Sequence, residues 1–222
     1  MHLDGSTSLT PVSRPKATAH EAGTSWLAGH NRRMRLRRYA RAMGWDLTTT
    51  GVLVGDVDGV AVRVYEDRFH AAVLEFVAPG LLPRMEMVNT DTHLAQVSDG
   101  MRDVHLGDVM FEKQYVIRAA EPWMARAVVD STVRRALLAA PRQTWATKDD
   151  RLIARATSRL EPLDLFARAT ALRTVIAAVP WEAYDDRHTP PTLEQVQAVV
   201  SERRTRPIEV LPSMSRRAGG SA

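Results

Sequence analysis

The chain of 222 residues is 45% apolar and 25% Asp, Glu, Lys and Arg, ordinary values for a globular protein, which exclude a wholly disordered chain, a fibrous repeat and a collagen. Its formal net charge is +4, from 30 basic against 26 acidic residues, and a sequence pI near 9.8 raises nucleic acid or an anionic membrane as partners. Cys is absent, so a disulfide framework, a thiolate zinc site and a cysteine nucleophile are excluded and the cytoplasm is the expected compartment.

The positive charge is not evenly spread. Met1 to Trp45 holds 8 basic and 2 acidic residues, Asp46 to Val200 holds 17 and 22, and Ser201 to Ala222 holds 5 and 2. The middle is therefore mildly acidic, and any anion-binding argument belongs to the two ends. No run of about 18 apolar residues occurs, so no transmembrane segment is expected.

Residues 1–24 lack periodicity and are rich in turn formers, which predicts a disordered segment. Ser25 is a candidate N-cap for a helix over 25–43 that Gly44 stops. Leu36, Ala40 and Met43 fall on one side of it, with arginines over the rest.

The clearest local signal lies between Thr50 and Glu66. Two β-branched runs, Val52 to Val57 and Val60 to Tyr65, flank Asp58-Gly59, the pair a type I′ hairpin turn needs because both central residues take positive φ. That register sets Leu53 opposite Val64 and Val57 opposite Val60. Strands are expected next at Ala71 to Val77 and Arg84 to Val88, and such short connections predict an antiparallel meander. Residues 89–108 read as loop with room for one short strand or turn of helix.

A strand is predicted from Phe111 to Ala119, then one long helix from Pro122 to Ala140 that buries Val128, Val129, Val133 and Leu137. A second hairpin, Thr144 to Thr147 with Arg151 to Ala156, turns at Asp149-Asp150. Another long helix runs from Pro162 to Val179 on a stripe of Leu165, Ala169, Leu172, Ile176 and Val179. Thr189-Pro190-Pro191 reads as a linker, and Thr192 with Gln195 forms a capping box for a short helix to Arg204. The expected division is a segment 1–24, a single domain 25–187 and a linker, helix and basic tail over 188–222. The fold class is α+β: an antiparallel sheet of five to seven strands with two long helices on one face, plus the basic N-terminal helix and C-terminal tail.

The run Gly107-Asp108-Val109-Met110-Phe111-Glu112-Lys113-Gln114-Tyr115-Val116-Ile117 ahead of an amphipathic helix resembles a group of uncharacterised bacterial proteins. In that group a Gly-Asp turn precedes Phe-Asp, two residues, then Phe-Val and a helix. Here Glu112 stands for the Asp and Tyr115 for the second Phe. The resemblance extends over Tyr39 to Tyr184, takes in the Gly44-Trp45 helix end and the Gly55 to Gly59 hairpin, and implies a fold without an activity.

Two clusters are candidates for function. Asp91, His93, Asp99, Asp103, His105 and Asp108 crowd one loop, and carboxylate with imidazole is a ligand set for a divalent metal in a hydrolase. Within that set Asp91, His93, His105 and Asp108 are the metal candidates, although their spacing fits no H-E-x-x-H or Ca²⁺-loop template and a solvated loop with Asp and His at turns is the favoured reading. Arg32, Arg33, Arg35, Arg37, Arg38 and Arg41 form the second cluster. Six guanidinium groups on one helix can neutralise several phosphates, can face a protein partner, or can simply dock on the acidic domain. No G-x-S-x-G, P-loop or dinucleotide fingerprint occurs, so no catalytic residue and no cofactor is assigned. The leading expectation is a non-catalytic module that binds a protein partner or itself through surface or terminal helices, with nucleic acid or an anionic membrane surface through the basic helix as the alternative.

Overall fold

The computed structural model describes residues 33–67, 71–91, 100–156, 162–186 and 188–205. The segment 1–24, the start of the basic helix with Arg32, and the residues after 205 lie outside them. Helix α1 is described over 33–43, and Gly44 at φ 66° closes it, the left-handed position that glycine occupies without a Cβ clash. Leu36, Tyr39 and Ala40 are buried along its inner side and Met43 packs against them.

Nine strands follow: β1 (Asp46–Leu47), β2 (Leu53–Val57), β3 (Val60–Glu66), β4 (Ala72–Val77), β5 (Met85–Asn89), β6 (Arg102–Val104), β7 (Tyr115–Ala119), β8 (Thr144–Lys148) and β9 (Arg151–Ala156). They form one antiparallel sheet in the order β1-β2-β3-β4-β9-β8-β5-β7-β6. The α+β class stands, but five to seven strands were expected. The two extra ones are edge strands, β1 with 2 residues and β6 with 3, too short to carry a periodic pattern.

The first hairpin forms in the predicted register, Leu53 opposite Val64 and Val57 opposite Val60. Asp58 and Gly59 both take positive φ, 47° and 83°, and Asp56 Oδ1 accepts from the Gly59 N–H at 2.7 Å. The meander does not continue past β4. The β8–β9 hairpin inserts between β4 and β5, so β4 pairs β9 while β5 pairs β7 and β8. Short spacing favours sequential pairing, but it cannot show a later hairpin taking the vacant edge.

Direct cross-strand pairing builds one inward row over all nine strands: Leu47, Leu53, Val64, Leu74, Ala154, Trp145, Met87, Ile117 and Val104. Every member except Leu47 is buried. At about 1.5–3 kcal/mol for each fully buried large side chain, this row is the main cohesion between sheet and helices. A parallel row on the opposite face reads Arg63, Glu75, Ile153, Ala146, Glu86, Arg118 and Asp103, in which Glu75 pairs with Arg151 and Arg118 with both Glu86 and Asp103.

Helices α2 (Val109–Glu112), α3 (Pro122–Val128), α4 (Ser131–Ala139), α5 (Pro162–Ala178) and α6 (Leu193–Thr205) complete the fold, with a 3₁₀ turn at Trp181–Ala183. The long helix expected from Pro122 to Ala140 is broken in two. Asp130 caps α4 by accepting from the Thr132 and Val133 N–H groups at 2.9 Å each, and an Asp-Ser-Thr run competes well for that geometry. Phe111, placed by pattern in a strand, lies in α2 because Asp108 caps that turn and accepts from the Phe111 N–H at 3.1 Å. Helix α5 has the predicted extent. Helix α6, expected beyond the domain boundary at 187, packs on the same core through Val196, with its Thr192/Gln195 capping box formed at 2.7 and 3.3 Å.

Candidate functional site

Among the described residues the acidic loop does not gather into a metal centre. Asp91 pairs with Arg142. Asp103 Oδ1 accepts from Arg118 Nε at 3.0 Å. Asp108 caps α2 with one oxygen and accepts from Arg134 Nε at 2.9 Å with the other. His105 is exposed, its Nδ1 4.0 Å from Glu112 Oε2; His93 and Asp99 lie outside the described residues. Asp91, Asp103 and Asp108 are thus each paired with an arginine, and no group of three His, Cys, Asp or Glu side chains that could hold a metal ion occurs among the described residues. Arginines positioned by β7, α4 and the residues before β8 take the acids apart, a pairing that loop composition alone cannot reveal.

Beside this loop lies a concavity of about 230 Å³ whose polar lining includes Asp103, His105 and Glu112, with Phe111 and Tyr115 as its apolar wall. Glu112 Oε1 accepts from the Leu106 and Gly107 N–H groups at 2.6 and 2.9 Å. These bonds hold its carboxyl below the usual carboxylate range, helped by His105 nearby. With Oε1 holding two backbone amides and its basicity lowered by them, the carboxyl shapes the turn and is a weak acceptor of a substrate proton.

The basic helix is split by function within itself. Arg35 Nη2 donates to Glu66 Oε1 at 2.7 Å, pinning α1 to β3. Arg33, Arg37, Arg38 and Arg41 are exposed. None of the four makes an ion pair among the described residues, and Arg33, Arg37 and Arg41 follow the i, i+4, i+8 spacing that lines up side chains along one strip. The opposite side of the helix is fixed by Leu36, Tyr39 and Ala40, and the helix end is locked by Trp45, whose backbone N–H donates to the Ala40 carbonyl at 2.9 Å. The Trp45 ring occupies the space a side chain at Gly55 would need, 2.2 Å from an ideal Cβ, and its Nε1 donates to the Asp56 carbonyl at 3.3 Å.

A third constellation was not visible in the sequence. Arg168 sits at a core position of α5, 2% exposed. Its Nη1 donates to the carbonyls of Pro141, at 3.1 Å, and Arg142. Its Nε has no partner, and no carboxylate pairs with it among the described residues. Gln143, also 2% exposed, has neither amide atom bonded, and the indole Nε1 of buried Trp145 is likewise unpartnered. Tyr115 belongs to the same end of the sheet: burial pushes its hydroxyl up, while the charges of Arg142 and Arg168 act against that shift.

The position follows from the register. One pleat beyond the row of Leu74, Ala154, Trp145, Met87 and Ile117, the inward residues are Ala72, Ala156, Asn89 and Tyr115, with Gln143 continuing β8 between them. Bulk therefore gives way to alanine and polar groups where α5 crosses. An unbonded buried polar group costs about 1–3 kcal/mol, and a charged one more. Several such groups in one place call for strain, ordered water or a bound ligand. The signal that could have found Arg168 is its spacing, three residues after Leu165 and four before Leu172, inside the apolar stripe.

No family model matches the chain, and no curated protein matches it in sequence. Among solved structures it is similar to the crystal structure of the mycobacterial trehalose monomycolate transport factor A, TtfA, with a TM-score of 0.55 and 11% identity over 66% of this chain and 93% of that one. The likeness is one of fold: an α+β arrangement on an antiparallel sheet.

Proposed function

We propose that this chain is a non-catalytic binding module of a bacterial cytoplasm that engages an acidic protein partner through the outer strip of α1. The observation that carries the reading is the set Arg33, Arg37, Arg38 and Arg41, exposed and without ion pairs among the described residues, on a helix whose other side is clamped to the sheet. A rigidly presented cationic strip raises the encounter rate and fixes the register of an acidic surface. An acidic protein is preferred to single-stranded nucleic acid because, among the described residues of α1, the one aromatic ring, Tyr39, is buried on the inner side and offers no platform for base stacking. A structural neighbour is named a transport factor, a title compatible with a binding role, and the group with the Gly107-Asp108, Phe111-Glu112 pattern is proposed as the family of this chain.

The test is a titration of the full chain against a poly-glutamate peptide, a DNA duplex and vesicles containing anionic lipid, each followed by anisotropy or co-sedimentation at two salt concentrations. Binding of the acidic peptide, lost when all four arginines are replaced by Glu, supports the proposal. Tighter binding of DNA or vesicles at equal ionic strength transfers the strip to that ligand. Robust turnover of esterase or phosphatase substrates by the purified chain would overturn the non-catalytic reading.

A further inference from the structure

We propose that Arg168 and Gln143, with Trp145 and Tyr115 beside them, form an internal receptor for an oxyanion group, a carboxylate or a phosphate, between α5 and the sheet. The guanidinium is already oriented. Two carbonyls, of Pro141 and Arg142, hold Nη1, which leaves the edge formed by Nε and Nη2 for a second partner; Nε is buried and unbonded. That edge presents two parallel N–H groups, the arrangement that takes both oxygens of a carboxylate or phosphate.

The surroundings are rich in donors, and the one carboxylate whose charge reaches the guanidinium, Asp164, makes no ion pair with it. Gln143 offers an unbonded amide N–H₂, and Trp145 an unbonded indole N–H. Tyr115, 2% exposed, adds a hydroxyl that stays protonated because of its burial. The carboxamide oxygen of Gln143 is the one acceptor left over among these groups, and it suits a protonated phosphate oxygen or a ligand hydroxyl. A water molecule could bond to some of these atoms, but it would leave the guanidinium charge unneutralised, whereas an anion meets both needs. The alanines at 72 and 156, where neighbouring rows carry Leu, Met and Trp, keep the region short of bulk. The site is closed in the free chain, so entry of the anion requires the segment 141–143 and the start of α5 to part. Binding is therefore read best as stabilisation of the folded chain.

The experiment is thermal unfolding of the full chain, titrated with sodium phosphate, sodium acetate and a soluble short-chain lipid phosphate, each against sodium chloride at matched ionic strength. The proposal expects a saturable rise in midpoint with at least one oxyanion and none with chloride. Acetate against phosphate identifies the group, and phosphate against the lipid phosphate separates a free ion from a lipid headgroup. Arg168→Lys keeps the charge and can still reach the carbonyls but lacks the two-pronged edge, so it should weaken the apparent affinity by roughly tenfold. Gln143→Leu should weaken it as well, and it decides the matter if the Lys variant does not fold. Replacing Arg37 and Arg41 by Glu should leave the midpoint response unchanged, which separates this site from the α1 strip. A midpoint that follows ionic strength alone, or a saturable response that survives in both site variants, would overturn it.

Discussion

On α1 the guanidinium groups of Arg33, Arg37, Arg38 and Arg41 stand in water, whereas on α5 the guanidinium of Arg168 is 2% exposed between helix and sheet. The same side chain carries opposite obligations in the two places. In water each charge is solvated, any pairing is worth about 0–1 kcal/mol, and four unpaired arginines cost the fold little. They form a long-range field that salt screens. Under the sheet, solvation is gone and each missing partner counts. The exposed set therefore argues for attraction of a partner, and the buried one for a specific short-range contact. Arg35 stands between them, half-exposed and bonded to Glu66, and it shows how one arginine of the cationic helix is spent on attaching it.

The largest expected effect tests whether the two helices are independently held. Gly55→Val places a branched side chain where the Trp45 ring lies, 2.2 Å from the ideal Cβ. Overpacking of this kind costs about 1–3 kcal/mol or more, measured by denaturant unfolding. Hydrogen exchange should rise in α1 and β1 while the amides of α5 keep their protection. Equal loosening of α5 would mean that the two arginine environments share one cooperative unit and cannot be varied separately.

Gln143→Leu sharpens the buried side of the comparison. It replaces two unbonded amide atoms by apolar surface of similar size, so the free chain should gain about 1–2 kcal/mol. A loss of stability instead would mean that ordered water already bonds the amide. Tyr115 gives the pH counterpart. Its hydroxyl is raised by burial, so the folded chain favours the neutral form. That contribution is complete below the ordinary tyrosine range near pH 10 and is lost as pH rises through it. Tyr184, pushed up to about 12 by burial, acts in the same direction. Unfolding followed across alkaline pH should show stability falling above about pH 10, and Tyr115→Phe should reduce that fall.

Local signals were legible in proportion to how locally they are determined. Asp58-Gly59 fixed the first hairpin to the residue, and Asp149-Asp150 the second, since turn chemistry needs no distant partner. The extent of α5 was legible from Leu165, Ala169, Leu172 and Ile176. Two errors came from local rules in competition: Asp130 capped a helix inside what periodicity read as one helix, and Asp108 turned Phe111 out of a strand. The order of the sheet depended on which hairpin reached the edge of β4, which no local pattern encodes. For the sites, the exposed arginines of α1 were legible because Leu36, Ala40 and Met43 fix the inner side of a helix and leave the arginines to the rest. The loop acids were visible as residues but not as partners, since Arg118, Arg134 and Arg142 arrive from elsewhere in the chain. Arg168 was hidden because one charged residue within an apolar stripe looks like a boundary of the stripe.

The smallest stability effect is the most exacting test of the exposed set. Replacing Arg37 and Arg41 by Glu removes two exposed, unpaired cations and adds two anions on the outer strip of α1. Because neither arginine bonds within the fold among the described residues, the unfolding free energy should change by no more than about 0.5 kcal/mol. Binding of a poly-glutamate peptide should fall steeply, and its dependence on salt should flatten, because fewer charges face the ligand. A marked loss of stability would show that these arginines are paired in solution. The strip would then be an attachment like Arg35, and the contrast between a solvated helix face and a buried guanidinium would collapse into two versions of the same structural role.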